Sequence, residues 1–337
     1  MSAVLEIRDL RVTFATPLGD LEAVRGVDLD VRAGEVLGVV GESGSGKSVT
    51  FLAAMGLLPA TATVRGSVRV DGVELVGAPP KEMRRVRGRL MSMIFQDPLS
   101  ALNPVHRVGA QIAEMLQAHQ RMTDRAAAAR AVELLELVGI PQPADRARQY
   151  PHEFSGGMRQ RVVIAIAMAN RPKVLVADEP TTALDVTVQA QILEVIQRVQ
   201  AETGTAVVLI THDLGVVARV CDRVQVMYAG RSVERGAVHA IFGRPTHPYT
   251  RGLLDSLPHE GLERLTPIAG FPPNMLRPPS GCAFRVRCPH AIDACGTDVP
   301  DLRPIGEQES ACIRASELAR DPDGHLYRCW YPLGEAR

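Results

Sequence analysis

Apolar and polar residues alternate through Leu5, Ile7, Leu10, Val12 and Phe14, the period of an amphipathic strand over residues 4–14. Val27, Leu29 and Val31 repeat the pattern, and Gly34 supplies a turn before an apolar strand at 36–40. A helix is predicted from Lys47 to about Leu58, where Pro59 stops it. Residues 66–76 read as a strand pair, and Leu90 to Phe95 as a short buried strand. The period then turns helical over 105–120 and 123–138, with Thr123 as candidate N-cap and Gly139 as the stop. A third helix follows the glycine pair at 156–157. From residue 173 the strand–helix alternation resumes: VLVAD, helix 186–202, AVVLI, helix 213–220 and strand 223–228.

Strands separated by helices imply a mainly parallel sheet covered on both faces, an α/β fold. The helical stretch at about 97–172 interrupts it as a subdomain. Prolines recur at 245, 248, 258, 267, 272, 273, 278 and 279, so no long helix or central strand is expected there. The boundary falls near 235–245, giving a first domain over 1–242 and an irregular appendage over 243–337.

The 337 residues suffice for a large core plus an appendage, and 46% hydrophobic content suits a globular chain. Basic and acidic residues are 38 each, so no basic excess points to nucleic acid and no polybasic block to lipid. MSAVLEIRDLRVTF lacks the apolar core of a signal peptide. The longest apolar run, Val162 to Ala169, is far short of the ~18–20 residues of a spanning helix. Any membrane role is therefore expected to work through partner subunits, with this chain in the cytoplasm.

GESGSGKS at 41–48 fits the phosphate-binding loop pattern, placed after an apolar strand and before a helix. Gly41, Gly44 and Gly46 let backbone amides, with those of Ser43, Ser45 and Val49, close around an anion. Lys47 is expected at the terminal phosphates of ATP and the Ser48 hydroxyl on Mg²⁺. VLVADE at 174–179 is an apolar strand ending in two acids, costly to bury unless they serve a site. Asp178 is the candidate Mg²⁺ ligand and Glu179 the candidate general base. A bland reading makes one such acid a salt-bridged strand end; for the pair beside a phosphate loop it is poor. Ser155, Gly156 and Gly157 in FSGGMRQR open a helix whose free amides suit an anion, or merely cap it.

With these three motifs the chain resembles an ABC transporter nucleotide-binding subunit over residues 4–235 at least. The resemblance implies a P-loop NTPase cassette with a RecA-like mixed sheet and helical subdomain. The signature would be 154–161, with Met158 where Gln is usual. It further implies that Gln96 contacts Mg²⁺ and relays to the membrane subunit, that Asp185 is the D-loop acid, and that His212 contacts the γ-phosphate. Phe14 is the candidate adenine-stacking aromatic, or a strand-face core residue. Two such cassettes would pair head to tail, so that Ser155 to Gly157 act on the partner's nucleotide.

Finer details, GESGSGKSVT with MGLLP, FQDPLSALNP and HPYTRGLL, resemble the D-type subunit of oligopeptide/dipeptide importers. That branch implies a second ATPase subunit, two transmembrane permeases and an extracytoplasmic peptide-binding protein, with this subunit peripheral at the cytoplasmic face of the inner membrane. Nickel and glutathione importers share these features. Five of six cysteines lie in the last fifth of the chain, a pattern pointing to metal more than disulfides in a reducing cytosol. Cys282, Cys288, Cys295 and Cys329 match the branch's iron–sulfur ligands and would hold one [4Fe–4S] cluster, with zinc or no metal as alternatives. Cys312 is read as a spare and Cys221 as a small core residue. A soluble ABC ATPase of DNA repair or translation fits less well. The interval between phosphate loop and signature, about a hundred residues, lacks the heptads of a coiled coil.

Overall fold

A computed structural model describes residues 3–97, 101–182, 184–257 and 267–315. In chain order its first strands are β1 (Ala3–Thr16), β2 (Gly19–Arg32) and β3 (Val36–Val40), followed by helix α1 (Lys47–Ala54). Then come β4 (Ala62–Val70), β5 (Val73–Glu74), α2 (Pro80–Val86) and β6 (Met91–Ile94). The helical stretch comprises α3 (Val108–His119), α4 (Asp124–Leu137), α5 (Pro143–Arg146) and α6 (Gly156–Met168). Alternation returns with β7 (Val174–Asp178), α7 (Val186–Thr203), β8 (Ala206–Ile210), α8 (Leu214–Val220) and β9 (Arg223–Tyr228). The chain continues through β10 (Arg231–Ala237), α9 (Val238–Gly243), α10 (Pro248–Asp255), β11 (Arg303–Ile305) and β12 (Gln308–Ser310). Strands β2-β1-β4-β5 form a four-stranded sheet in that order.

The chain packs as two units, the first made of residues 1–6, 30–36 and 68–210. Here β6, β7 and β8 run parallel, in register from Met91↔Val174↔Ala206 onward. All three strands are buried along their whole length, which is why they are mostly apolar, with only Ser92 and the terminal Asp178 polar, rather than alternating. Helix α7 buries Ile192, Leu193, Val195, Ile196 and Val199, an apolar stripe at helical spacing. Thr123 caps α4 by accepting from the Ala126 N–H, as its sequence position predicts. The parallel register brings the ends of β7 and β8 level, and the Glu179 N–H donates to the Ile210 carbonyl at 2.9 Å. The acids at the end of β7, Asp178 and Glu179, therefore stand at the carboxyl edge of the sheet, where ligands of open α/β sheets bind.

The second unit comprises residues 7–29, 37–67 and 211–337. In it β3 pairs parallel with β9, and β9 forms an antiparallel hairpin with β10. Strand β12 of the tail adds to β10 (Glu234↔Ser310), and β11 adds to β12. Both are three-residue strands, and β11, with Pro304, is the edge, where a missing N–H costs no ladder bond. The proline pattern predicts little core for the tail; Phe284 instead inserts into this unit's core, 2% exposed, edge-on to Tyr228 and Tyr249 at 5.3 and 5.4 Å. One aromatic supplies no periodicity, so pattern reading misses it.

Buried Glu234 ties the same parts together. Its carboxylate accepts from the Thr246 N–H and hydroxyl, the His247 N–H and Gln308 Nε2, at 2.6, 2.7, 3.2 and 3.1 Å. Burial pushes this carboxyl above its ordinary range, against the pull of those donors.

Candidate functional site

The phosphate loop lies in the second unit, between β3 and α1. A Cβ on Gly41, whose φ is 150°, would strike the Met227 carbonyl, and one on Gly46 (φ 96°) would lie 2.6 Å from the Ala23 carbonyl. Only glycine lets β9 and β2 pack this close to the loop. Gly230, in the β9–β10 turn, donates its N–H to the Ser45 carbonyl at 3.0 Å. Ser45 and Lys47 are buried, Ser43 and Gly44 exposed, and Ser48 and Val49 half-buried. Lys47 Nζ donates to the carbonyls of Gly41 and Glu42 at 2.7 and 3.0 Å, so the loop's own backbone holds the ammonium in place. His212 follows β8 as an exposed residue of the second unit, beside Thr211, whose N–H donates to the Val39 carbonyl of the same unit at 3.3 Å. Phe14 is half-buried on β1.

In the first unit two of the expected residues meet directly. Gln96 Nε2 donates to Glu179 Oε2 at 3.0 Å, and Thr182 Oγ1 donates to the same oxygen at 2.9 Å. Glu179 adopts φ 47°, the left-handed region that non-glycine residues rarely occupy, as polar residues at functional sites do. Asp178, one residue earlier, is the buried end of β7.

Ser155 is the N-cap of α6, its hydroxyl accepting from the Met158 N–H at 3.4 Å, and with Gly156 it is exposed. At Gly157 a Cβ would sit 2.6 Å from Val188 Cγ1, so the second glycine lets α6 approach α7. Asp185 caps α7 through the Val188 N–H at 2.9 Å.

Three of the four expected cluster cysteines are described; Cys329 lies outside the described residues. The Cys282 N–H donates to the Cys295 carbonyl at 2.9 Å, and burial pushes the Cys282 and Cys288 thiols up, with neighbouring thiols adding to it. Cys312, read as a spare, shares this neighbourhood. Burial first, then Cys288, Cys282 and Cys295, push its thiol up to about 11. Counting sequence intervals could not reveal a strand end that folds back. Yet among the described residues no group of three or more His, Cys, Asp or Glu side chains is placed to hold a metal ion. The expected centre is thus not formed by Cys282, Cys288 and Cys295 as they stand; the intervals bring these thiols near one another without converging them. Cys221 packs against the core of the second unit, as read from sequence.

Pattern reading missed Thr182, Tyr249 and Arg287. Thr182 follows Glu179 by three residues, a turn spacing that could have flagged it. Tyr249 Oη accepts the Glu42 N–H, and Arg287 pairs with the Glu42 carboxylate. Tyr249 and Arg287 had a signal only as parts of the segments HPYTRGLL and PPSGCAFRVRCPHAIDAC that carry the resemblance.

Comparison with known proteins follows the same lines. The ABC transporter family matches residues 24–182, and the oligopeptide/dipeptide transporter C-terminal region matches 233–295. The oligopeptide transport ATP-binding protein OppD of Escherichia coli is 52% identical over 318 residues, 94% of each chain. The OppD of Bacillus subtilis is 54% identical, covering 87% of this chain and 83% of its own. The Bacillus subtilis dipeptide transport protein DppD is 48% identical over 98% of this chain and 95% of its own. A dimeric bacterial ABC transporter cassette superposes with a TM-score of 0.62 at 27% identity, covering 69% of this chain and 98% of that one. Another solved dimer, with the same TM-score and 26% identity, is a post-hydrolysis state bound to ADP and Pi, covering 69% of this chain and 98% of its own. The chain is an ABC ATPase of the oligopeptide/dipeptide transporter family.

Proposed function

We propose that this chain is the motor subunit of a peptide importer, coupling ATP hydrolysis to uptake of di- and oligopeptides through partner membrane subunits. The observation that carries the peptide reading is that the likeness to peptide-transport ATPases extends through the tail at 233–295 and does not stop at the cassette. Lys47 and the loop amides bind the phosphates. Ser48, Gln96 and Asp178 offer a hydroxyl, an amide oxygen and a carboxylate, the hard oxygen donors that Mg²⁺ takes; bound Mg²⁺ supplies charge neutralisation at the β- and γ-phosphates. Glu179, its carboxylate oriented by Gln96 and Thr182, takes a proton from the attacking water, and His212 steadies the γ-phosphate.

Ser155, Gly156 and Gly157, exposed at the start of α6, act on the nucleotide of a second ATPase subunit, in a head-to-tail pair with Asp185 near the join. Two permeases and an extracytoplasmic peptide-binding protein complete the assembly. Among the described residues no helix is long and apolar enough to cross a membrane, which suits a peripheral place on the cytoplasmic face. Reconstituted with these partners, the chain should hydrolyse ATP faster when loaded peptide-binding protein is added. Stimulation by nickel or glutathione instead of peptide would move the cargo to those related importers, and activity without any membrane partner would favour a soluble ATPase.

A narrower reading concerns the tail. The resemblance of Cys282, Cys288, Cys295 and Cys329 to the ligands of the oligopeptide/dipeptide branch motivates a [4Fe–4S] centre, which would need the described thiols to converge further than they do. Such a centre would cross-link the tail and take no part in the ATP chemistry. Anaerobically purified protein should contain iron and sulfide; zinc alone would give a structural zinc site, and neither metal would leave the cysteines as thiols.

A further inference from the structure

Glu42, the second residue of the phosphate loop, is gripped through three different groups. Its N–H donates to Tyr249 Oη at 2.8 Å, and its carbonyl accepts from Lys47 Nζ at 3.0 Å. Its carboxylate takes a two-pronged pair from Arg287, Nη1 to Oε2 at 2.7 Å and Nη2 to Oε1 at 2.9 Å. Tyr249 and Arg287 both come from chain beyond residue 243, far from the glycine motif in sequence.

Arg287 is built in rather than resting on the surface. Its Nε donates to the Ala269 carbonyl at 2.9 Å, Nη1 reaches Tyr228 Oη at 3.4 Å, and Nη2 reaches the Ile268 carbonyl at 3.4 Å. With the two bonds to Glu42, all five guanidinium donors are in use. The side chain is 5% exposed against 26% for Glu42, and it lies 5.9 and 5.8 Å from the Tyr228 and Phe284 ring centres. An exposed ion pair is worth little, but a bidentate pair on a buried guanidinium fixes geometry as well as charge.

The pair has an electrostatic meaning at this place. A carboxylate inside a loop that receives a triphosphate repels its ligand unless a cation cancels it. If Lys47 were left to do so, its charge would be diverted from the phosphates. We propose that Arg287 is a positioning residue for the phosphate loop: it neutralises and pins Glu42, leaving Lys47 for the nucleotide and making ATP affinity depend on the tail. This rests on the reading of 41–48 as the triphosphate site.

The test is calorimetric binding of a non-hydrolysable ATP analogue with Mg²⁺ to the full chain, comparing Arg287→Ala, Glu42→Gln and the double variant, with Lys47→Ala as reference. Arg287→Ala should weaken binding about tenfold, as loss of a charged hydrogen-bonded pair does. The double variant should bind more tightly than Arg287→Ala alone, because the stranded carboxylate is gone, and raised salt should shrink the Arg287→Ala defect. A purely structural role for Arg287 would show neither rescue. The proposal is overturned if Arg287→Ala stays within about twofold of the wild type while Lys47→Ala loses affinity. It is equally overturned if the two single losses simply add in the double variant. Should Arg287→Ala not fold, Arg287→Lys keeps the charge without the fork and should still weaken binding, by about threefold; unchanged affinity there overturns the proposal too. If Lys47→Ala itself binds normally, the loop reading has failed and the role of Arg287 falls with it, a failure distinct from loss of affinity in Lys47→Ala alone.

Discussion

Two helix starts in this chain share one physical device and differ in everything around it. Helix α1 follows a glycine-rich loop and α6 opens on a glycine pair, and both present the positive end of a helix. At α1 the preceding Gly46 is left-handed and no side chain caps the helix. The surrounding loop is partly buried and braced by Ala23, Met227, Gly230, Tyr249 and Arg287 of the same unit. At α6, Ser155 caps its own helix and stands exposed with Gly156. A site whose walls come from its own unit can be finished before the ligand arrives. One that faces solvent is open to be completed by another molecule, as the proposed trans role requires.

The comparison can be broken most forcefully at the chemistry. Glu179→Gln should lower turnover by on the order of 10²–10⁴ while leaving ATP bound, the effect of losing a general base; single-turnover hydrolysis near the wild-type rate would remove Glu179 from that role. Next in size, Lys47→Ala should weaken ATP binding roughly ten- to hundredfold, from a lost charged contact of about 1.5–3 kcal/mol, as read by calorimetry. Ser155→Arg sharpens the contrast. The chain alone should keep its ATP affinity to within about twofold, whereas hydrolysis by the assembled pair should fall, since a bulky cation occupies an exposed anion-facing helix start. Loss of affinity in the isolated chain would place the signature in the wrong site.

A last test reads the bracing itself, through stability rather than activity. His247 is fully buried, its Nδ1 accepts the Tyr249 N–H at 3.1 Å, and burial lowers its pKa to about 3. Between the ordinary value of 6.5 and about 3 the unfolded chain binds a proton that the folded one refuses. This contribution is therefore complete above pH 6.5 and is lost as pH falls, by about 1.4 kcal/mol per pH unit for one proton. Thermal melts of His247→Asn should show a shallower acid dependence than the wild type between these limits.

The strands, the helices and the phosphate loop were legible because each is written within a few residues: apolar runs bounded by glycine and proline, or eight residues that close on one anion. What escaped was written across distance. Glu42 and Arg287 are 245 positions apart, and nothing local to either marks the pairing. Helix α10 begins on Pro248, tolerated at a first turn, inside a stretch whose prolines otherwise argue against helix. Strand β12 takes its partner from β10, so its three residues carry no alternation long enough to detect. Cys312 sits two residues beyond that strand, which is how a residue counted as spare returns to the other thiols.

The backbone of Glu179 has a consequence for anyone who selects variants of this chain for heat resistance. Holding a glutamate at φ 47° costs about 1 kcal/mol or more that glycine would not incur. Screens that reward survival alone should therefore drift toward Glu179→Gly or Glu179→Asn and collect sturdy, inert proteins. Screens that also demand ATP turnover should keep the glutamate and find their gains elsewhere.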